Sequence, residues 1–442
     1  MKISRILAPL ALLASSALLV GSTHEASACA VFTPTETPSV VGHRMILSLS
    51  NTETTLWDQF DYSGTPDSFG WILPVKGVAQ IGLSSDALFD ALGKITAPQI
   101  FAPQQGCPNT CFGGDGGDGS GGGSNGGGVI VVAENTVGPF MTVQLSSQDP
   151  NALKTWLTTN GYPIPVDIGP ILDAYVAEGF DFVALKLKPG AGIDSVKPVR
   201  VTIPGAAPSI PLRLLAAGTG NLTPVTLFVL GEGRWEPKNA PLAKIIQEDL
   251  VWDYKTATSN YDTIRTEKLA ATNGLGWLVE EASPLETFLL DDSLQTLVSS
   301  TPNESGYGDG GAITPQAALD GDLKALHGAL SNTPWIMRFT ADLTRQAFSK
   351  DLMLGAAADQ TQLDNTYFIT TGVNAPPCPP DPCGGSGGST SSSSSTGTGG
   401  NNATGESTDC SCQAAGLNTQ HTAALLLSLS PLLLAMRRRR RA

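Results

Sequence analysis

The sequence predicts an α+β protein in which mixed, mostly antiparallel sheets pack against several helices. Two observations support this fold class. Short apolar stretches with strand-like alternation occur along most of the chain, and stretches with helical spacing of apolar residues lie between some of them. Their order is too irregular for the repeated strand–helix units of a doubly wound parallel sheet, so α+β is favoured over α/β.

The strand predictions follow these apolar stretches in chain order. The first two are HRMILSLS at 43–50 and SFGWILPV at 68–75. VIVVAE at 129–134 and GPFMTVQLS at 138–146 are predicted to pair with each other. Further strands are predicted at 180–187, 199–204, 224–231, 335–343 and 351–357.

The helix predictions depend on spacing and on capping residues. SSDALFDALGKI is predicted to begin at a capping Ser84 or Ser85. A second helix is predicted to begin with Asp149 as its cap and Pro150 at its first position. Three apolar residues of this second helix share one face: Leu153, Trp156 and Leu157. The remaining helices are predicted at 169–179, 259–272 and 320–330.

The first 28 residues have the organisation of a secretory signal peptide. Two basic residues give a positive start, residues 6–20 are almost all apolar, and Ala-Ser-Ala at 26–28 forms an A-x-A cleavage site. Cleavage after Ala28 makes Cys29 the first mature residue. The alternative is a lipoprotein signal, in which Cys29 is acylated.

The C-terminus carries a short apolar segment followed by a basic cluster. Residues 422–436 contain no charge, and as a helix these 15 residues span about 22 Å, short of the roughly 30 Å core of a bilayer. Five arginines follow and are expected to stop the segment on the cytoplasmic side: Arg437, Arg438, Arg439, Arg440 and Arg441. They are not expected to bind nucleic acid, because they adjoin a membrane segment on an acidic, exported chain.

This tail resembles the MYXO-CTERM sorting tail of myxobacterial surface proteins, which combines a cysteine motif, a hydrophobic span and terminal arginines. The resemblance implies cleavage by a membrane-bound sorting protease near Cys410 or Cys412, with display at the cell surface or outer membrane. Which of the two cysteines is used stays open. The alternative is a plain C-terminal membrane anchor.

Composition divides the chain into four parts. The signal peptide at 1–28 precedes a globular body at 29–375, which contains a flexible Gly-rich insertion at 113–128. A Pro, Ser, Gly and Thr-rich stalk at 376–409 has too little apolar surface to fold, so it is predicted to be disordered. The sorting or anchoring tail occupies 410–442.

The charge of the mature body excludes one class of partner. When the charges of the signal peptide and the five tail arginines are removed, 19 basic and 39 acidic residues remain. A body with this acidic excess repels nucleic acid and anionic membrane surfaces.

The seven cysteines fit an exported protein. Cys107 and Cys111 lie just before the Gly-rich insertion, and Cys378 and Cys383 lie at the start of the stalk; each pair has the spacing of a small local disulfide. A zinc site is the alternative, but these spacings lack the close CxxC pairs of a zinc ribbon and no histidine lies near them. The odd count leaves one thiol for a lipid, a partner or processing.

Six segments of the body carry a further resemblance: SFGWILPVKGVAQIGLSSDALFDAL, VGPFMTVQL, LKTWLTTNGYPIP, DAYVAEGFDFVALKLK, IPLRL and VTLFVLGEGR. In this order they resemble the bacterial exported proteins of domain-of-unknown-function family 2330, over residues 29–375. The resemblance implies a fold and export but supplies no catalytic residue. The family often begins its mature part with Cys-Gly-Gly-Phe-Phe-Cys. Residues 29–32 here are Cys-Ala-Val-Phe, so a disulfide through the second cysteine cannot be assumed.

No residue is assigned a catalytic or metal-binding role, and no cofactor is expected. Outside the signal and tail the histidines are His43 and His327, which are expected to be surface or packed structural residues. Two matches to the nucleophile pattern G-x-S-x-G, at 122–126 and 384–388, lie in glycine tracts without the strand and helix that such a site needs.

Two acidic pairs are weaker candidates for chemistry. Glu280 and Glu281 follow Gly-Trp-Leu-Val at 276–279. Adjacent residues on a strand point to opposite faces, so the two side chains cannot enter one cleft unless a bulge intervenes. Asp291 or Asp292 is expected to cap a helix.

These observations predict an exported, surface-anchored protein that acts as a noncatalytic binding or scaffolding module. The alternative is a secreted hydrolase or metal-dependent enzyme whose site is assembled from dispersed residues. The expected partners are the export machinery, the sorting protease and, through the tail, the membrane. The extracellular ligand is left open.

Overall fold

The computed structural model describes residues 39–63, 70–104, 136–162, 168–188, 196–216, 221–300, 314–331 and 333–377. Those up to Pro376 belong to one compact unit. The strands are β1 (Ser39–Leu49), β2 (Glu53–Ser63), β3 (Gly70–Val75), β4 (Gln80–Leu83), β5 (Gln99–Phe101), β6 (Thr136–Val137), β7 (Phe140–Leu145), β8 (Asp181–Leu187), β9 (Val199–Pro204), β10 (Ser209–Ile210), β11 (Thr223–Gly231), β12 (Trp235–Pro237), β13 (Leu242–Lys244), β14 (Val251–Asp253), β15 (Thr258–Ser259), β16 (Trp277–Pro284), β17 (Trp335–Leu343), β18 (Leu352–Ala356), β19 (Thr366–Phe368) and β20 (Thr371–Val373).

Six α-helices accompany these strands in the described ranges. They are α1 (Asp86–Ile95), α2 (Pro150–Thr159), α3 (Gly169–Ala177), α4 (Tyr261–Ala270), α5 (Thr287–Ser300) and α6 (Pro315–Ala329). Short 3₁₀ helices occur at Arg213–Ala216, Gln247–Asp249 and Arg345–Ser349.

Two sheets form the centre of the unit. The large sheet has eight strands in the order β13-β16-β17-β11-β1-β2-β9-β4, with β1–β11 and β13–β16 parallel and its other pairs antiparallel. The small sheet has four antiparallel strands in the order β3-β8-β7-β6. The three remaining sheets have two or three short strands each.

The sheets and helices form four layers, because each sheet is covered on both faces. Residues of the large sheet such as Met45 and Leu227 share one buried cluster with Trp71 and Val183 of the small sheet, so the two sheets pack face to face. The far face of the small sheet packs against α2 and α3. The far face of the large sheet packs against α1, α5 and α6.

Alternation along the strands explains this arrangement. In β1, Met45 and Leu47 face the small sheet whereas Ile46 faces the helices. In β3, Trp71 and Leu73 face the large sheet, and Ile72 between them faces α2 and α3. Strands covered on both faces appear as continuous apolar runs, which is why β3 and β11 were predictable.

The predicted fold class is confirmed: the described residues form mixed, mostly antiparallel sheets packed with helices. The Asp149 cap is also confirmed, since its side chain accepts a hydrogen bond from the Asn151 backbone N–H at 2.8 Å. Ser85 occupies the cap position of α1 but makes no capping hydrogen bond. The long strands β2 and β16 and the strands of two to four residues were not predicted from the sequence. The predicted start of α6 is five residues too late, since α6 begins at Pro315 after its cap Thr314.

Several predictions fall outside the described residues. They include the strand at 129–134, the signal peptide, the Gly-rich insertion, nearly all of the stalk and the whole tail with its arginines. All seven cysteines are in this group, so the disulfide and processing predictions stay predictions. Within the described ranges, none of the helices combines the length and apolar character needed to cross a membrane.

Candidate functional site

An apolar cavity opens between the two packed sheets, and we call it the intersheet cleft. One wall comes from Leu47, Leu56 and Val201 on strands β1, β2 and β9 of the large sheet. The facing wall comes from Leu73 and Val75 on β3 of the small sheet. The cavity volume is about 420 Å³, within the usual range of small-molecule sites.

The segment at 206–211 keeps this cleft open. Ala206, Ala207 and Pro208 line it with short side chains, which leave the space between the sheets unfilled. Thr54 fixes the segment: its hydroxyl donates to the Gly205 carbonyl and accepts from the Ala207 N–H, both at 2.8 Å. Gly205 has a φ of +81°, which a residue with a side chain rarely adopts. The gap at this end of the sandwich is therefore a consequence of the backbone conformation and the short side chains of this segment.

Two carboxylates at the mouth of the cleft are held by one arginine. The Arg213 guanidinium donates to both oxygens of Glu178 at 2.7 and 2.6 Å and to Asp351 at 2.8 Å. Its hydrogen bonds to Glu178 lower the pKa of that carboxyl. The guanidinium lies 3.9 Å from the ring centroid of Tyr175, whose hydroxyl donates to Asp351 at 2.5 Å. These contacts fix the positions of both carboxylates, and the one positive charge of Arg213 is shared between them.

Lys76 is the cation that lines the same mouth. It follows β3 directly, is exposed, and places its ammonium nitrogen 4.5 Å from the ring centroid of Phe180, which also lines the cleft. The positive charge favours the face of the aromatic ring. The mouth therefore presents a lysine and an aromatic ring beside the clamped carboxylates.

His43 lies deep between the sheets rather than at the surface. It is 2% exposed, and its Nε2 is hydrogen-bonded to a carboxylate oxygen of Asp58, which is 4% exposed. This pair lines a small void of about 20 Å³, roughly the space of one water molecule. Leu56 and Leu73 line both this void and the intersheet cleft. A buried histidine–aspartate pair thus borders the inner end of the cleft.

His327 lies far from this pair, on the outer helical layer. Its Nε2 is 2.9 Å from a carboxylate oxygen of Asp291, and both side chains are partly exposed. The predicted cap role of Asp291 and Asp292 is wrong, because both residues lie inside α5 rather than before it. Within the described ranges, no group of three His, Cys, Asp or Glu side chains is placed to hold a metal ion.

A bulge in β16 brings Glu280 and Glu281 to one face of the large sheet. Val279 pairs with Phe339 and Glu281 pairs with the next residue, Arg338, so Glu280 is the extra residue. Val279 and Ala282 both belong to the core between the sheets, which places the two glutamates on the opposite face. The condition stated from the sequence, a bulge, is therefore met.

The two glutamates nevertheless have different surroundings. Glu280 accepts hydrogen bonds from Arg338 at 2.7 Å, Thr340 at 3.0 Å and Arg265 at 3.3 Å, and it lines an open surface pocket. Both side chains are buried, Glu280 at 2% and Glu281 at 7% exposed, but Glu281 accepts its hydrogen bond from Ser283, at 2.6 Å. Burial, reinforced by Asp364, raises the pKa of Glu281 to about 7. The two glutamates therefore do not form the paired-carboxylate site of a glycosidase, because Glu280 lines the pocket and Glu281 does not.

Sequence reasoning missed a buried carboxylate, Asp322 on α6. It is 0% exposed and accepts hydrogen bonds from Trp57 at 2.8 Å, Arg200 at 2.6 Å and Ser84 at 2.8 Å. A signal was present: Asp322 has helical spacing with the buried Leu319 and Leu326, so it occupies the apolar face of α6. An acidic residue on such a face needs donors from the element it packs against.

The intersheet cleft was missed as well. Its walls are ordinary apolar strand residues, and the sequence carries no motif for a gap between two sheets. The short residues between β9 and β10 were the available signal, since they cannot fill a core.

Comparisons with known proteins give one weak structural likeness and one family match. Among solved structures, the crystal structure of baculovirus P35 matches with a TM-score of 0.25 and 8% sequence identity over 45% of this chain and 66% of that one, just under two thirds of its length. A likeness this low supports no inference about fold or function. The curated proteins contain no match to the sequence. A family model, DUF2330, described as an uncharacterized protein conserved in bacteria, matches residues 23–285.

The family match confirms the resemblance seen in the sequence segments, although it ends at 285 rather than at 375. It covers more than half of the chain. The protein therefore belongs to the bacterial family DUF2330.

Proposed function

We propose that this protein is an exported, surface-displayed binding module whose ligand occupies the intersheet cleft, without catalysis. The observation that carries the proposal is the cleft itself, an apolar cavity of about 420 Å³ between two sheets that are otherwise closely packed. Protein cores fill their space, so an unfilled apolar cavity of this size in a sandwich is typical of a ligand site.

The chemistry of the walls supports binding rather than reaction. Leucine, valine, isoleucine, alanine and proline side chains make up most of the lining. The carboxylates at the mouth are engaged by Arg213, and the buried His43 is engaged by Asp58. Burial of apolar ligand surface contributes about 25 cal/mol per Å², so such walls can retain a small apolar molecule.

The location part of the proposal is supported by the two chain ends. The signal peptide pattern at 1–28 would direct export, and the tail at 410–442 would be recognised by a sorting protease in the membrane. A strongly acidic body suits an exposed, soluble surface module.

The cleft is tested with Nile red, a neutral apolar dye whose fluorescence rises in an apolar site. We expect saturable binding to the purified protein. Replacing the exposed cleft residue Ala206 with tryptophan (Ala206→Trp) should abolish binding by filling the space. Ala152→Trp on the exposed surface of α2 is the matched control and should bind normally. Equal binding by both variants, or no binding by the wild type, would exclude the cleft as a ligand site.

The location is tested by deleting residues 422–442 and labelling intact cells with a reagent that cannot enter them. The truncated protein should be released to the medium or trapped in the periplasm. Surface labelling equal to that of the full chain would reject the sorting role of the tail.

A further inference from the structure

The mouth of the intersheet cleft holds a lysine that forms no ion pair within the described residues. Arg213 is hydrogen-bonded to both Glu178 and Asp351, so its donors are directed at these carboxylates, and the three groups together keep one net negative charge. Within the described part of the chain, Lys76 forms no ion pair, and its contact is the ring of Phe180. Its influence on Glu178 acts through space, lowering the pKa of that carboxyl. The ammonium group is therefore available to a ligand.

We propose, on the basis of the binding function above, that the ligand is a single-chain amphiphile with an anionic headgroup. Its apolar chain lies between the two sheets, and its headgroup is bound by Lys76 at the mouth.

The walls determine the chain part of this ligand. Lys76 directly follows Val75, the last residue of β3, and Val75 and Leu73 are both directed to the core between the sheets. The lining therefore becomes apolar directly behind the lysine. The hydroxyl of Thr54, a polar group in the wall, already donates to Gly205 and accepts from Ala207. A polar group carried into this space would lose its hydrogen bonds to water without replacement. The part of the ligand inside the cleft must therefore be apolar.

The charges at the mouth determine the headgroup. A cationic headgroup would have to compete with Arg213 for Glu178 and Asp351, which Arg213 holds through several hydrogen bonds. An anionic headgroup needs no such exchange, because the Lys76 ammonium has three donors and none of its ion-pairing capacity is used within the described residues. A carboxylate and a phosphate share this chemistry, so a fatty acid and a lysophospholipid-like molecule are both sources of the ligand.

The experiment measures displacement of Nile red from the full-length protein by four amphiphiles with the same twelve-carbon chain length, below their micelle concentrations. Dodecanoate and dodecyl phosphate carry anionic headgroups, methyl dodecanoate is neutral, and dodecyltrimethylammonium is cationic. We expect both anions to displace the dye at lower concentration than the neutral ester, by about threefold, the size of an ion pair at an exposed lysine. The tighter of the two anions identifies the source of the headgroup.

Variants of the lysine isolate the headgroup contact. Lys76→Met keeps an apolar stem and should remove the preference for the anions while leaving the ester unchanged. Lys76→Glu should reverse the preference in favour of the ammonium compound. Lys94→Met is the matched control, because Lys94 is an exposed lysine on α1 outside the cleft, and it should behave as the wild type.

Each outcome decides the proposal. Equal affinity for the ester and the anions, or an unchanged preference in Lys76→Met, overturns the headgroup assignment but leaves the cleft as a binding site. Preference of the wild type for the ammonium compound overturns it in the same way. Dye that binds but resists all four compounds overturns the chain assignment. Failure of the dye itself to bind removes the proposed function as well.

Discussion

Asp322 and Glu281 are both buried carboxylates at the large sheet, yet they differ in the number of hydrogen bonds that they accept. Asp322 receives hydrogen bonds on both oxygens, from Trp57 and Arg200 on one and from Ser84 and the Ser85 N–H on the other. Among the described residues, Glu281 receives one hydrogen bond, from Ser283, on one oxygen. Its other oxygen is buried and has no hydrogen-bond partner in that part of the chain.

The difference shows what donors do for a buried charge. Burial raises the pKa of both carboxyls, as desolvation penalises the ionised form. At Asp322 the Arg200 charge and three further donors oppose this effect. At Glu281 the opposition comes from Ser283 and Arg338 alone, and Asp364 adds to the effect of burial, so its pKa reaches about 7. Asp322 is thus suited to fixing α6 on the sheet, whereas Glu281 titrates near neutral pH.

The largest loss of stability is expected from removing Asp322, the carboxylate with more hydrogen-bond donors. Asp322→Ala leaves the partly buried Arg200 without its counter-charge and leaves Trp57 and Ser84 without their acceptor. Loss of one partner from a buried pair costs about 3–5 kcal/mol. Urea unfolding should show a fall of this size in the free energy of unfolding.

Asp320→Ala is the control for this variant. Asp320 is on the same helix but exposed, where it accepts a hydrogen bond from Gln316. Its replacement should change the free energy of unfolding by less than about 0.5 kcal/mol. If the two variants were equally stable, the Asp322 contacts would contribute nothing to holding α6.

The next-largest predicted effect is a gain in the free energy of unfolding, and it depends on pH. The folded protein holds the Glu281 proton more tightly than the unfolded chain, whose glutamate has its ordinary pKa of 4.5. Stability is therefore lost as the pH rises from about 4.5 to about 7 and is constant above that window. Glu281→Gln removes the titration. At pH 8 it should be more stable than the wild type by on the order of 3 kcal/mol, at about 1.4 kcal/mol per unit of pKa.

Two comparisons sharpen the Glu281 prediction. Urea unfolding at pH 4 should show almost no difference between Glu281→Gln and the wild type, since the glutamate is then protonated in the folded state and mostly protonated in the unfolded state. Glu280→Gln should instead be destabilised at pH 8, because Arg338 and Arg265 lose their charged acceptor. A stability gain in Glu281→Gln that is the same at pH 4 and pH 8 would contradict the raised pKa.

Most helices and most of the strands longer than four residues could be predicted from the sequence because their signals are local. Alternation in β8 and the Asp149-Pro150 start of α2 involve residues a few positions apart. The partners of Asp322 are not local: Trp57 and Ser84 precede it by 265 and 238 residues. The bulge in β16 depends on its register with β17, which no pattern within β16 records. The cleft depends on the spacing of two sheets, so it too needed the tertiary structure.

The smallest predicted change in the free energy of unfolding tests how closely the Arg200 side chain packs against α6. A Cβ added at Gly321 would lie 2.4 Å from one terminal nitrogen of Arg200 and 2.8 Å from the other. The guanidinium cannot move away from this Cβ without disturbing its hydrogen bond to Asp322. Gly321→Ala should therefore lower the free energy of unfolding by about 1 kcal/mol, despite the better helix propensity of alanine.

Gly328 on the same helix is the matched position, because a Cβ there meets nothing within 4 Å. Gly328→Ala should raise the free energy of unfolding by roughly 0.5 kcal/mol through helix propensity alone. The opposite signs are the decisive feature, since a general effect of alanine in α6 would give both variants the same sign. Equal gains in both would mean that Arg200 can move aside freely, and the Asp322 network would then be looser than its hydrogen bonds indicate.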